Sequence, residues 1–308
     1  MGSLFKEQHM ETIIGFLAAI GTAVAKSALD VSTKYATATL EGRSIIALQW
    51  CVSATLLTIA CVVWYPSLLS DPTATFAQIT NENFWWVLLL NGALNAVASY
   101  FYISAFRHAD ASLVAPFMLI TPVLLLVTSP LMLGEHVPPM GVIGVLCTVV
   151  GAHYVGKSIG ESRGVWSSLR ALAKNRGVRL MALTAVIWSI TSNLDKIGVQ
   201  SATPLFWSAS ISIVIALTSV AFWLVTPKRT NERDLWRAAL PGIANAIGIL
   251  LHVYALTILF VPYVIAIKRL SAPLTVILGG SLFGEKTKER LTGTLIMLLG
   301  TLLMVLSI

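Results

Sequence analysis

Ten runs of apolar residues divide this chain, and a helix of about 20 such residues is what spans the hydrocarbon core of a bilayer. We place them at 12–36, 43–65, 83–106, 110–133, 138–157, 179–199, 203–225, 236–258, 261–283 and 290–308. Only 11% of the 308 residues are charged and 56% are hydrophobic, where soluble domains average roughly 25% charged. Ten spans use ~200 residues, so no large soluble catalytic domain fits beside them. The fold class expected is all-α integral membrane, with ten transmembrane helices.

Other readings fall away on local grounds. The net charge of +7 suggests nucleic acid, but the basic residues lie between apolar runs and not on one soluble patch. Cys51, Cys61 and Cys147 sit in apolar stretches with no Cys/His cluster, so they read as packing residues, with neither a disulfide framework nor a zinc site. The first run contains Lys26 and Asp30 and lacks a clear cleavage site, so it is expected to be a retained helix and not a signal peptide. Gly160-Glu161-Ser162-Arg163-Gly164 spells G-x-S-x-G, but in a polar linker with no strand before it, so no nucleophile elbow is expected. No Walker A, H-E-x-x-H or EF-hand pattern occurs. The expectation is a non-enzyme without a cofactor.

The second constraint is an internal repeat. At an offset of 150, Trp86 matches Trp236, Gly92 matches Gly242, Asn95 matches Asn245, and Gly134-Glu135 matches Gly284-Glu285. At an offset of 165, Ser27 matches Ser192 and Leu29-Asp30 matches Leu194-Asp195. The longer loop at 66–82 absorbs the difference. The chain divides into a first five-helix repeat at 1–157, a basic linker at 158–178 and a second repeat at 179–308. Five helices per half is an odd number, so the halves are expected as inverted repeats, the arrangement that places a transporter's site at the repeat interface near midplane. Lys and Arg concentrate on one predicted side, at Arg43, Arg107, Lys157, the linker, Arg179, Lys228, Arg229, Arg233, Arg237, Lys286, Lys288 and Arg290. The positive-inside rule puts that side in the cytoplasm and both termini outside.

The chain resembles the EamA-type carriers of the drug/metabolite transporter superfamily. The resemblance covers both halves. It rests on VAPFMLITPVLLLVTSPLMLGE ahead of GVIGVLCTVVGAHYVG, on AIKRLSAPLTVILGGSLFGEK ahead of GTLIMLLGTLLMVL, and on AVIWSITSNLDKIG. The Trp-Gly often found in the family's first helix is absent. The resemblance implies cytoplasmic termini, opposite to the loop charges.

Charges inside spans carry the local chemistry, since each costs roughly 2.5–3.5 kcal/mol at a helix centre. Lys268 and Arg269 are adjacent in span nine. They read as an anion anchor, Arg offering a planar fork and Lys a point charge, or as ion-pair partners of Asp30 or Asp195, or as snorkelling cations. A Lys-Arg pair in the ninth helix looks similar in anion-carrying relatives of the superfamily. Lys26, Asp30 and Lys34 stack on one face of span one. Asp30 and its mate Asp195 are candidates to bind an amine, to carry a proton, or to brace helices against Lys26 and Lys196. Asn91, Asn95, Ser99 and Tyr102 form a stripe on span three, and Asn245 and His252 match Asn95 and Tyr102. They either line a cavity or bond helices together. Pro116, Pro122, Pro130, Pro262 and Pro273 interrupt spans four and nine. Gly280 and Gly284 form a GxxxG packing pair.

The function expected is secondary transport of a small anionic or zwitterionic organic metabolite by a multi-pass cell (inner or plasma) membrane protein. Proton-coupled efflux of organic cations is the alternative, and a non-transporting scaffold or enzyme a third reading. Partners are a small-molecule substrate and the lipid bilayer, with a proton or counter-substrate for coupling and a homodimer as an oligomeric option, and no nucleic acid.

Overall fold

The computed structural model describes residues 2–36, 39–108, 117–158, 175–225, 234–271, 273–275 and 291–307. The first half holds α1 (Gly2–Ala36), α2 (Gly42–Trp64), the short α3 (Ser67–Ser70) and α4 (Pro72–Ile79), α5 (Phe84–His108), α6 (Ile120–Leu133) and α7 (Pro139–Ser158). The second holds α8 (Arg176–Ser201), α9 (Pro204–Val225), a 3-10 turn at Leu235–Ala238, α10 (Ala239–Ile258), α11 (Val261–Lys268) and α12 (Leu291–Val305). A helix therefore stands at each expected span. Six are long and apolar enough to cross a membrane, and Ile120–Leu133, Pro139–Tyr154 and Thr292–Val305 are shorter apolar helices. The protein is an all-helical, multi-pass membrane protein among the described residues. The GxxxG at Gly280 and Gly284, the G-x-S-x-G at 160–164, Pro116 and nearly all of the basic linker lie outside them.

Local chemistry sets several boundaries. The connection 66–82, expected as a loop, contains α3 and α4. Asp71 caps α4 by accepting from the Ala74 N–H at 3.1 Å, and Pro72 follows at the first helical position, where its fixed φ and missing N–H do no harm. The Ala74 amide and the Thr73 hydroxyl hold the Asp71 carboxyl below its ordinary pKa. Asn175 opens α8 by accepting from the N–H groups of Gly177 and Val178 at 2.8 and 3.3 Å. Gly134, at φ 68°, closes α6 in the left-handed conformation, which a residue without Cβ adopts at no steric cost.

The outward faces carry Leu17, Val24, Val63, Leu89, Leu131 and Leu217 at high exposure. Such residues are stable there only against lipid. Trp64, Trp86 and Trp236 are exposed near helix ends, the depth at which amphipathic rings settle. The Arg237 guanidinium lies 5.0 Å from the Tyr35 ring centroid and 5.7 Å from that of Trp236.

Packing runs mainly between the halves. α1 lies on α10 as α8 lies on α5, and α2 lies on α10 as α9 lies on α5. The pairs α7–α12, α2–α9 and α6–α11 are each formed by corresponding helices. Exchanging the two halves maps these main contacts onto one another.

The α7–α12 seam depends on glycine. A Cβ on Gly144 would stand 2.6 Å from the Gly300 carbonyl oxygen, one on Gly151 2.6 Å from that of Gly293, and one on Gly300 2.5 Å from that of Gly144. The obstacle in each case is backbone, which cannot rotate away. Gly144→Val is expected to force the helices apart at a cost of about 1–3 kcal/mol, read as a lower Tm in detergent. An unchanged Tm would mean that the seam is looser than this.

One end of the bundle is sealed by groups from both halves. Thr80 and Ala202 form an isolated antiparallel bridge. The Asn81 N–H donates to the Ser201 carbonyl at 2.9 Å, and the Thr203 N–H to that of Ile79 at 3.3 Å. Phe76, Phe84 and Phe206 meet with ring centroids 5.5–5.9 Å apart. Beside them, the largely covered Glu135 pairs with Lys196 and accepts from the Val261 N–H at 3.0 Å. Lys196 also donates to the Leu259 carbonyl at 2.8 Å. One carboxylate therefore holds the ends of α6, α8 and α11 together.

Candidate functional site: a central polar cavity

Above the sealed end, the halves part around a cavity of about 400 Å³. Its walls come from α1, α2, α5, α8, α9, α10, α11 and the turn before α6. Of the residues singled out in the sequence, Lys26, Asn95, Ser99, Tyr102, Asp195, Asn245, His252, Lys268 and Arg269 line it. They lie far apart in the chain, and only the crossing of the two halves brings them together.

The position of Lys268 and Arg269 follows from Pro273. Proline has no N–H, so the Arg269 carbonyl, four residues earlier, has no helical donor. The ladder tightens there: the Arg269 N–H bonds to Ala266 and the Leu270 N–H to Ile267, at 3.0 and 2.9 Å. The two cations therefore sit at the C-terminal end of α11, where the helix dipole favours positive charge. Pro122 does the same to Met118, also four residues earlier. The freed Met118 carbonyl accepts from the Arg269 guanidinium at 2.8 Å. Of the readings open for the pair, an ion pair is not what holds Arg269, which donates to a backbone oxygen. Among the described residues neither Asp30 nor Asp195 lies within ion-pair distance of Arg269 or Lys268. The buried Nε of Arg269 has no partner there. Lys268 and Arg269 are both half-buried on the cavity wall.

The two repeat-matched acids behave differently. Asp30 pairs with Lys26, one turn earlier on α1, and is not among the lining residues. That pair lies within α1 and joins no second helix, and Lys196 pairs with Glu135 and not with an aspartate. Asp195 lines the cavity, and its Oδ1 accepts from Asn91 Nδ2 at 2.7 Å and Trp207 Nε1 at 3.3 Å. Asn91, fully buried, accepts in turn from Asn95 Nδ2 at 2.7 Å. The donor to a carboxylate must be the amide nitrogen, so the orientation of Asn91 is fixed by its neighbours.

The second half answers with Asn245, whose Nδ2 donates to Ser53 Oγ at 3.0 Å. Ser53 donates onward to backbone oxygens of Gly242 and Gln49, both at 2.8 Å. His252 is buried and its Nδ1 has no partner among the described residues, and the same holds for the Thr121 hydroxyl. Interhelical bonding and cavity lining, posed as alternatives for the asparagines, are both present.

Trp50, Trp188, Met118 and Thr121 also line the cavity, and sequence reasoning passed over them. Trp188 packs against Tyr102 with centroids 5.5 Å apart. The apolar character of Trp50, Trp188 and Met118 made them indistinguishable from lipid-facing residues. The i−4 relation of Pro122 to Met118 was the one readable signal.

A solved crystal structure has the same fold, with a TM-score of 0.71 and 19% identity over 97% of each chain. No curated protein matches the sequence. The profile of the EamA-like transporter family matches residues 13–156 and again 175–306, one match for each half of the contact pattern. The chain belongs to the EamA-like transporter family.

Proposed function

We propose that the protein is a secondary active transporter of a small anionic or zwitterionic organic metabolite, such as an amino acid or an organic or phosphorylated acid. The observation that carries this reading is the pair Lys268 and Arg269, half-buried on the cavity wall with donors to spare. A cation inside a membrane protein is costly, and an arriving carboxylate or phosphate offsets that cost through charge-assisted hydrogen bonds. Asp195 faces the same space and serves a substrate amine or a coupling proton. Lys26, with Asp30 behind it, adds to the positive wall. Tyr102 bounds the cavity on one side and His252 on the other, and Asn95 and Asn245 offer hydrogen bonds. The two five-helix halves act as inverted repeats and expose the cavity alternately to each side of the cell membrane. By the positive-inside rule the cavity opens toward the cytoplasm in this state, because the sealed end lies opposite the basic connections.

Efflux of organic cations is the second reading. Three cations line the cavity against one acid, which disfavours a cationic guest.

Thermal-shift measurements on purified protein separate the two. Amino acids, dicarboxylates and phosphate esters are compared with quaternary ammonium compounds. A ligand bound at 100 times its Kd stabilises by about 2.7 kcal/mol. A rise in Tm with members of the first set is expected. A rise confined to the cations would reverse the assignment.

A further inference from the structure

Helix α8 carries three polar residues in a row of four that reach three different partners. Asn193 accepts from Ser129 at 2.7 Å and donates to Thr128 at 3.0 Å, both on α6. Asp195 turns into the cavity. Lys196 turns to the sealed end and pairs with Glu135. The cavity carboxylate and the seal are thus neighbours on one rigid element.

Trp207, on α9, connects them a second time. It is fully buried and packs edge-on against Phe84 of the sealing cluster, with centroids 6.2 Å apart. Its ring lies over Gly198, where a Cβ would enter the ring. Its single N–H points to Asp195 Oδ1 at 3.3 Å. Asn91 occupies the same oxygen at 2.7 Å. Among the described residues no hydrogen bond reaches Oδ2. The oxygen that a guest would draw on therefore belongs to the carboxylate that holds the Trp207 N–H.

We propose that Trp207 is the coupling residue of the carrier: its N–H on Asp195 ties the state of the cavity to closure of the far end. A substrate ammonium or a proton on Asp195 weakens its grip on the indole N–H. The ring then loses its one polar tether, and the Phe76–Phe84–Phe206 layer is free to part. The inference rests on the alternating-access reading. It adds what that reading lacks, a named contact between cavity and seal. Trp207 is a positioning residue and need not touch the substrate.

The test uses the whole chain in lipid nanodiscs, with Cys51, Cys61 and Cys147 replaced by Ala. Ser201, buried in the seal, is changed to Cys as a reporter, and its labelling rate with a water-soluble maleimide is followed. Trp207→Phe keeps the ring and removes the N–H. Asp195→Ala removes the acceptor and keeps the ring. Each is expected to speed labelling about tenfold, and the double variant no further, because, of the two bonds that Asp195 accepts, the one from Trp207 is the one whose donor ring packs on the sealing cluster. Glu135→Gln, which weakens the seal directly, is expected to speed labelling independently. If Glu135→Gln speeds labelling and either single variant does not, Trp207 is not the link. Additive effects in the double variant also overturn it, since that marks two separate loosenings. If no variant speeds labelling, the seal does not open and the alternating-access reading itself fails.

Discussion

Lys268→Ala is expected to abolish most uptake into proteoliposomes while leaving the helical fold and its Tm nearly intact. Lys268 has no ion-pair partner among the described residues, so its loss strands no buried opposite charge. What disappears is the contact with the substrate anion. A hydrogen bond to a charged group contributes about 1.5–3 kcal/mol, which is roughly a 10- to 150-fold loss in kcat/KM. Arg269→Ala removes the same kind of contact and also the bond to the Met118 carbonyl. It should therefore lower both transport and Tm. The two variants separate the roles: a pure anchor at Lys268, an anchor that also joins α11 to the turn before α6 at Arg269. Normal uptake by both would remove the anion-carrier reading. The measurement needs a substrate, which the thermal-shift panel supplies.

Glu135→Ala should be the most destabilising of the polar substitutions. It leaves Lys196 charged in a buried setting and deprives the Val261 N–H of its acceptor. Breaking one side of a buried pair costs about 3–5 kcal/mol. The expected result is a large drop in Tm in detergent and little folded protein. Glu135→Gln should be milder, because its amide oxygen still accepts from Val261. Replacing Lys196 by Met together with Glu135→Ala should recover part of the loss, since no orphan charge remains. If Glu135→Ala has the Tm of the parent, the pair does not hold the three helix ends together.

Part of this architecture was legible because the bilayer leaves few options. A backbone in hydrocarbon must satisfy its hydrogen bonds internally, so every long apolar run had to be a helix. A helix stands at each of the ten runs, although α6 and α11 cover only part of runs four and nine. The short helices in 66–82 were missed, since Asp71-Pro72 reads as a turn and as a helix start alike. The break in span nine was announced by Pro273. Which side chain would take the carbonyl freed by Pro122 was not, because Arg269 lies 151 residues away and meets it only when α11 crosses α6.

The candidate site divides the same way. Charge in an apolar run is rare and expensive, so Lys26, Asp30, Asp195, Lys268 and Arg269 stood out individually. Asp30 and Asp195 looked equivalent by repeat position, yet one pairs along its own helix while the other lines the cavity. Helical spacing allows Lys26 to reach Asp30 without tertiary contact. Asp195 has no such neighbour and takes its partners from α5 and α9. The half-buried Trp50 and Trp188 and the buried Trp207 gave no local sign, since an indole suits lipid, interface and core.

The amino-acid sequence by itself determined a bilayer-spanning, two-repeat helical chain and the few residues whose charge demands an explanation, because both follow from desolvation cost along the chain. Only the tertiary structure decided which charges share a cavity, which are spent on sealing one end, and which tryptophan stands between. Those outcomes depend on contacts between halves more than a hundred residues apart, and no local spacing encodes how two helices cross.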